Sequence, residues 1–455
     1  MMLGLVNIAA VFALAVAVTF RQRSITLALL ATVLALNVLL LSSVDYALGF
    51  MMGEVKVRLT EVLPLVLAVV WLMRRPLLSS TVVASLTFVW LAALAAATSF
   101  VLSGWEITWL VFAAMVFLGP VLGSVYPIGL TVTQSERLST LTELLVLALA
   151  LVSCLSVLFF GVIGGFMGWD QSYRLRGLAP IGGPIAVGAV LILFVPHFIG
   201  RVLRRPSPYN LVKAGVLISG LIFTGSRVIV ATSLLVSAIV VLHHTFTSNS
   251  RGRLARVGVA MTGLTVLSVM AFPAIDKQAA FQRALGARDL TELTSRGDVL
   301  RVESLKQARS LISEAPVLGH TPGHVYPWFR GGELEGKQGN VFYTDHGISL
   351  IEPHNLYLML GAEHGLVVLV GFVFLMAYFI RKMYRAFRIT RDEAHLHNVL
   401  GVLAFLLQAM ASSHLLINPR VAFFFWLVLG VWMNYAIASR HATLSPSLHD
   451  QERFV

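Results

Sequence analysis

Charge is what this chain has least of. Only 12% of its 455 residues are Asp, Glu, Lys or Arg, against 57% hydrophobic, where an ordinary soluble protein carries about 25% charged residues. The shortfall excludes water as the solvent for most of the chain. Cysteine is almost missing as well: Cys154 is the single one, so no internal disulfide can form and no thiolate metal site can be assembled. No low-complexity tract and no convincing internal repeat interrupts the pattern. The N-terminus has no basic n-region before Arg21, so its apolar start reads as a retained helix rather than a cleaved signal peptide.

What the chain has instead is a succession of apolar runs, near 2–20, 24–42, 58–73, 77–102, 107–130, 140–165, 181–199, 210–225, 228–246, 256–274, 355–380, 398–417 and 421–438. About 20 apolar residues cross the hydrocarbon core as a helix. Lipid offers no hydrogen bonds to free backbone groups, so a span is either a helix or part of a closed barrel. Runs such as Ile181–Ile199 lack the alternation of barrel strands. The expected fold is therefore an all-α polytopic membrane protein with about 12–13 transmembrane helices.

The net charge of +12 is distributed against a nucleic-acid partner. Basic residues stand in short clusters at every second junction: Arg21/Arg23, Arg74/Arg75, Arg137, Arg201/Arg204/Arg205, Arg251/Arg253/Arg256, Arg381 through Arg391, and Arg440. By the positive-inside rule these junctions are cytoplasmic. The others, near 43–57, 103–106, 166–180, Thr224–Arg227, 275–354 and 418–420, then face outward. The expected organisation is a transmembrane bundle of about ten spans over 1–274, a periplasmic loop over 275–354, C-terminal transmembrane helices over 355–438 and a cytoplasmic tail over 439–455.

The one long loop holds nine Lys/Arg and ten Asp/Glu, so its positive charges do not set topology. Within it, Leu300, Leu305, Ala308, Leu311 and Ile312 have the spacing of an amphipathic helix, suited to lying on the membrane face, with Pro316 ending it. GHTPGHVYPWFRGG follows and reads as ordered turns.

Candidate chemistry begins with PHNLYLMLGAEHG. His354 sits where the loop re-enters the membrane, beside Asn355 and Tyr357, and an imidazole at a shielded interface suits proton transfer near neutrality. The plainer reading is a polar residue marking the boundary. Arg227, in TGSRVIV, breaks the positive-inside pattern at a tight outward corner. A charge there is a functional candidate, or a side chain snorkelling to headgroups. Arg296 and Arg301 precede the amphipathic segment; a guanidinium suits phosphate through its planar fork, or is a solvated charge paired with Asp298 or Glu303. His320, His324 and His346 with Asp345 and Glu352 match no recognised metal-ligand spacing, and no metal or other cofactor is expected. One histidine and several arginines on one membrane side suit a substrate with a diphosphate at headgroup level and a hydroxyl to deprotonate.

Three local patterns carry a resemblance. TGSR ending at Arg227, SRGDVL followed by ISEAPVLGHTPG, and HNLYL followed by E-x-G ending at Gly365 resemble the bacterial O-antigen ligase and polymerase superfamily (Wzy_C type). The resemblance is clearest over about 215–375 and favours the ligase branch. It implies a metal-independent, inverting glycosyltransferase of the inner membrane that works at the periplasmic face. The donor it implies is a glycan on undecaprenyl diphosphate; the acceptor is lipid A–core for a ligase, or a second lipid-linked glycan for a polymerase. Arg227 and Arg296 would hold the diphosphate, and His354 would act as general base. Arg301, Asn355 and Tyr357 would contribute to substrate binding. Where the family turn often reads Gly-x-Gly, Gly319 is followed by His320-Thr321-Pro322-Gly323. That departure makes His320 and His324 further candidates for binding or for sharing the base role. A transporter of lipid-linked sugars is the reading from another class, but transporters usually place ionisable groups near the midplane of repeated halves. A structural membrane scaffold explains the spans and leaves Arg227 and His354 without a purpose.

Overall fold

The computed structural model describes residues 25–40, 80–103, 130–159, 179–247, 296–320 and 353–444, with short pieces between 50 and 67, at 127, and between 337 and 350. The helices, numbered along the chain, are α1 Ile25–Leu39, α2 Ser80–Ser103, α3 Val132–Leu158, α4 Pro184–Ile192, α5 Val195–Arg204, α6 Pro208–Phe223, α7 Arg227–Thr247, α8 Arg296–Glu314, α9 Leu356–Thr390, α10 Glu393–Gln408, α11 His414–Ile417 and α12 Pro419–Leu444. The described strands are two or three residues long: a pair at Phe50–Met52 and Val55–Val57, and a trio within 337–350.

The expected all-α polytopic fold is what the chain adopts. Among the described residues six helices are long and apolar enough to cross a membrane, or seven if α4 and α5 form one bent span. The apolar runs near 2–20 and 256–274, and most of those near 58–73 and 107–130, lie outside the described residues, so the expected count of 12–13 spans extends beyond them.

Two local departures from the apolar pattern have clear causes. α3 begins at Val132, ahead of the apolar run. Thr131 caps it by accepting the Gln134 N–H at 3.2 Å while the Gln134 side chain accepts the Thr131 N–H at 3.0 Å, a reciprocal box that satisfies two otherwise orphaned donors. The run 181–199, read as one span, is instead two helices bent by 46°. Pro196 has no N–H to send back to Ile192, so a ladder bond is lost there. Gly401 of α10 closes on this buried joint: a Cβ at that position would lie 2.2 Å from the Leu193 carbonyl oxygen.

α12 is the central helix, with 83% of its apolar window buried inside the protein, whereas only 22% is buried in α7. Around α12, Phe88 of α2, Phe372 of α9 and Trp426 form a ring cluster with centroids 6.2–6.5 Å apart. Large apolar side chains such as Trp90, Phe246 and Phe374 point outward, as expected of surfaces solvated by hydrocarbon.

Polar contacts sort the helix ends into two sides. On one side Arg420 donates to the carbonyls of Leu40 and Pro180, the Asn418 amide donates to Ile181 at 3.2 Å, and the Asn355 amide donates to Met410 at 2.9 Å. On the other, Arg201 forks onto Glu143, Arg204 lies 3.5 Å from Glu393, the Tyr435 hydroxyl donates to Asp392 at 3.0 Å and Lys382 reaches Ser80 at 3.3 Å. The second group falls at described junctions where the sequence concentrates Arg and Lys.

Candidate active site

His354 is the last residue before α9, and its backbone is left-handed, with φ of 45°. Arg391, the other described non-glycine residue with positive φ, is an ordinary helix C-cap; His354 instead precedes a helix start. A non-glycine residue held there stores on the order of 1–3 kcal/mol, and such strain persists only where the surroundings enforce it. Asn355 is the enforcing neighbour. Its Oδ1 accepts the N–H groups of Tyr357 and Leu358 at 3.0 and 3.1 Å, capping α9. Its Nδ2 donates to the Met410 carbonyl in the 3₁₀ turn Ala409–Ala411 that ends α10. The Tyr357 hydroxyl donates to Leu406 on the same element at 2.9 Å. Asn355 and Tyr357 thus bolt the His354 end of α9 to the end of α10.

α9 is not one helix. At Gly365 the backbone turns to φ 80° and ψ 168°, a region open essentially to glycine. The break leaves 366–390, about 25 residues and so long enough to span a membrane, and a shorter segment, 356–364, with His354 at its tip. Breaking a helix separates carbonyl and N–H groups from their ladder partners, and these must be paired if buried. Here the turn after α8 pairs one of each. The Ala362 carbonyl accepts the His320 N–H at 2.9 Å, and the Leu366 N–H donates to the Pro316 carbonyl at 2.8 Å. Gly319, with φ 73°, lets the turn approach this closely, since a Cβ there would meet the Glu363 carbonyl carbon and oxygen at 2.5 Å.

α8 follows the expected amphipathic pattern, but its apolar side faces protein where the sequence suggested the membrane face. Ala308 and Leu311 are buried, and Ile312 and Leu311 pack on Gly361 and Ala362 of the short α9 segment. The ring of His320 folds back on α8. Its Nε2 lies 3.0 Å from the Leu311 carbonyl, which requires a proton on that nitrogen, and 3.9 Å from the Glu314 carboxylate.

Arg227 and Arg296 are each the first residue of a helix, α7 and α8, and Arg301 lies in the second turn of α8; for these three the description is of the backbone. Thr224 and Gly225, with φ 64°, make the corner before Arg227. This corner lies on the same side of the bundle as His354, since the far end of α7 meets α9 near Phe387, whose ring His243 meets edge-on at 6.0 Å between centroids. His324 lies outside the described residues. The structure therefore joins Asn355 and Tyr357, the neighbours of His354, directly to the end of α10, and His320 to the break in α9. Arg227 shares their side of the bundle.

The sequence reading passed over Arg420. It is buried to 2% exposure and is tied to carbonyls at the ends of two other segments. A cation in an outward junction was visible in the sequence as an exception to the positive-inside pattern, of the same kind as Arg227. Glu363 and His364, buried at the break, were hidden within an apolar run. No group of three or more His, Cys, Asp or Glu able to hold a metal occurs among the described residues.

No curated protein matches the chain. Residues 214–373 match the family described as O-antigen ligase, a stretch that runs from α6 past the break in α9 and takes in Arg227, α8 and His354. A multi-span membrane bundle with this corner, loop helix and broken helix in one matching stretch carries, over residues 214–373, a Wzy_C O-antigen ligase family domain.

Proposed function

We propose that the protein is a glycosyltransferase that moves a glycan from undecaprenyl diphosphate to an acceptor hydroxyl of lipid A–core, at the periplasmic face of the bacterial inner membrane. The observation that carries this reading is His354: a left-handed histidine on the tip of a capped helix segment, inside the stretch that matches the O-antigen ligase family. The side assignment rests on charge, because the basic clusters lie at the opposite ends of the helices and mark the cytoplasmic side.

On this reading the His354 imidazole takes the proton of the acceptor hydroxyl as that oxygen attacks the anomeric carbon. The new glycosidic bond forms on the face opposite the breaking bond, giving inversion. The departing group is undecaprenyl diphosphate, whose developing charge Arg227 and Arg296 offset. Both open helices, so backbone N–H groups and the guanidinium favour the same anion. Arg301, Asn355, Tyr357, His320 and His324 belong to the binding surface. No step requires a metal or a nucleotide sugar.

The test is deletion of the gene in its host, with complementation by wild type, His354→Ala, Arg227→Ala and Arg296→Ala at matched membrane levels. Full-length glycan accumulating on the carrier and missing from lipid A–core supports the ligase. Single repeat units accumulating instead replace it with the polymerase. An unchanged glycan and carrier pool in the deletion overturns both.

A further inference from the structure

The turn 316–320 does more than cover the break in α9. In an unbroken helix the Leu366 N–H would donate to the Ala362 carbonyl. Here those two groups are separated and the turn stands between them: Ala362 accepts from His320 at 2.9 Å and Leu366 donates to Pro316 at 2.8 Å. One missing rung of the ladder is rebuilt through another segment of the chain. Two glycines make the insertion possible from its two sides. A Cβ on Gly365 would lie 2.1 Å from the Val317 carbonyl oxygen, and one on Gly319 would lie 2.5 Å from the backbone of Glu363 and Gly365. Both glycines have positive φ, so no L side chain is tolerated at either for two separate reasons.

We infer that Gly319 and Gly365 are positioning residues of the transfer reaction, because their joint fixes the helix carrying Arg296 and Arg301 against the short segment that carries His354. The inference rests on the glycosyl-transfer reading above. The joint stands at the C-terminal end of α8 and at the far end of segment 356–364 from His354. α8 also packs on that segment through Ile312, whose Cδ1 is 3.0 Å from the place of a Gly361 Cβ. The His354 end is separately held to α10 by Asn355. The segment is therefore pinned at both ends, and any tilt at the joint swings the α8 arginines relative to the imidazole. A displacement of about 1 Å between reacting groups is enough to cost on the order of 100-fold in rate.

The joint can be opened from the helix side. Leu366 is the first residue after the break, where proline is compatible with the helix because its N–H has no partner within it. Leu366→Pro removes the bond to Pro316 and puts a ring carbon where the hydrogen was, which pushes the Pro316 carbonyl away. The experiment compares Leu366→Pro, Gly319→Ala and Gly365→Ala with wild type and with Gly371→Ala, purified into lipid nanodiscs and assayed with a lipid-linked glycan donor. Gly371 is the control on the same helix, since its Cβ would meet nothing closer than 3.4 Å. In parallel, a Cys154→Ser background carries spin labels at Ser310→Cys on α8 and Phe374→Cys on α9, both exposed positions.

The expected result for the three joint variants is a fall in kcat of roughly 10-fold or more, with the donor KM held within about twofold, and a broadened distance distribution between the labels. Gly371→Ala should match wild type in both. A kcat within twofold of wild type for Leu366→Pro, or a label distance unchanged in the glycine variants, overturns the inference while leaving the transfer reaction standing. A wild-type protein without transfer activity defeats the functional reading instead, and the label distances still decide whether the joint holds α8.

Discussion

The Leu366 N–H donates to the Pro316 carbonyl at 2.8 Å, across a gap that the chain opens at Gly365 and closes with a turn from a different segment. A polar pair inserted at a helix break would be unstable in lipid unless every freed group were paired. The turn pairs the Ala362 carbonyl and the Leu366 N–H, and the family-matched stretch contains the whole arrangement.

His354→Ala should lower transfer by about 100- to 10,000-fold, the usual contribution of a positioned general base, without lowering membrane levels. His354→Gln should do the same, since the amide keeps hydrogen-bonding size and loses basicity. Initial rates with purified protein decide it, and a variant retaining a tenth of wild-type activity would remove His354 from the base role.

Asn355 has two jobs that substitution separates. Asn355→Asp keeps the oxygen that caps Tyr357 and Leu358 and loses the amide donated to Met410. Asn355→Ala loses both, and the missing cap alone costs about 1 kcal/mol. Transfer rates should rank wild type, then Asp, then Ala. Equal rates for Asp and wild type would show that the tie to α10 does not hold the histidine.

Arg201 forks onto Glu143, whose side chain is only 9% exposed while that of Arg201 is 38% exposed. Arg201→Leu should cost about 2 kcal/mol, between the values for exposed and buried pairs, because it leaves a buried carboxylate without its cation. Arg201→Leu with Glu143→Leu should recover most of the loss. Thermal unfolding in detergent measures this, and the catalytic rate at low temperature should not change.

Arg420→Lys should destabilise the protein despite keeping the charge. One guanidinium nitrogen serves the Leu40 and Pro180 carbonyls within a buried site, and the shorter lysine side chain stops its ammonium short of that position. A loss of about 2–3 kcal/mol is expected for buried acceptors left unpaired, read as a lower unfolding temperature. An unchanged midpoint would mean that Arg420 is dispensable as a brace.

Chelation should leave transfer intact. Incubating the purified protein with EDTA and removing the chelate should keep activity within about twofold, since cation stabilisation of the leaving diphosphate falls to arginine. A loss restored by one divalent cation would require a metal in the mechanism.

The amino-acid sequence by itself determined that the chain lives in a bilayer, which junctions share a side, and where arginine and histidine gather. The reason is that hydropathy and positive-inside charge act locally and leave their mark in one dimension. His354 was visible because a polar string interrupts an apolar one, and α8 because Leu305, Ala308, Leu311 and Ile312 repeat at helical spacing. The surface that α8 covers was not visible: the same amphipathic pattern serves a membrane face or a neighbouring helix, and only packing on Gly361 and Ala362 chose between them. The break at Gly365 was equally silent, because glycine is common in membrane helices and Gly371, six positions on, stays helical. What distinguishes the two is a turn brought in from residues 316–320, which supplies the hydrogen bonds that lipid cannot. Pairing between segments distant in the chain is a property of the folded state, and there the tertiary structure alone decided.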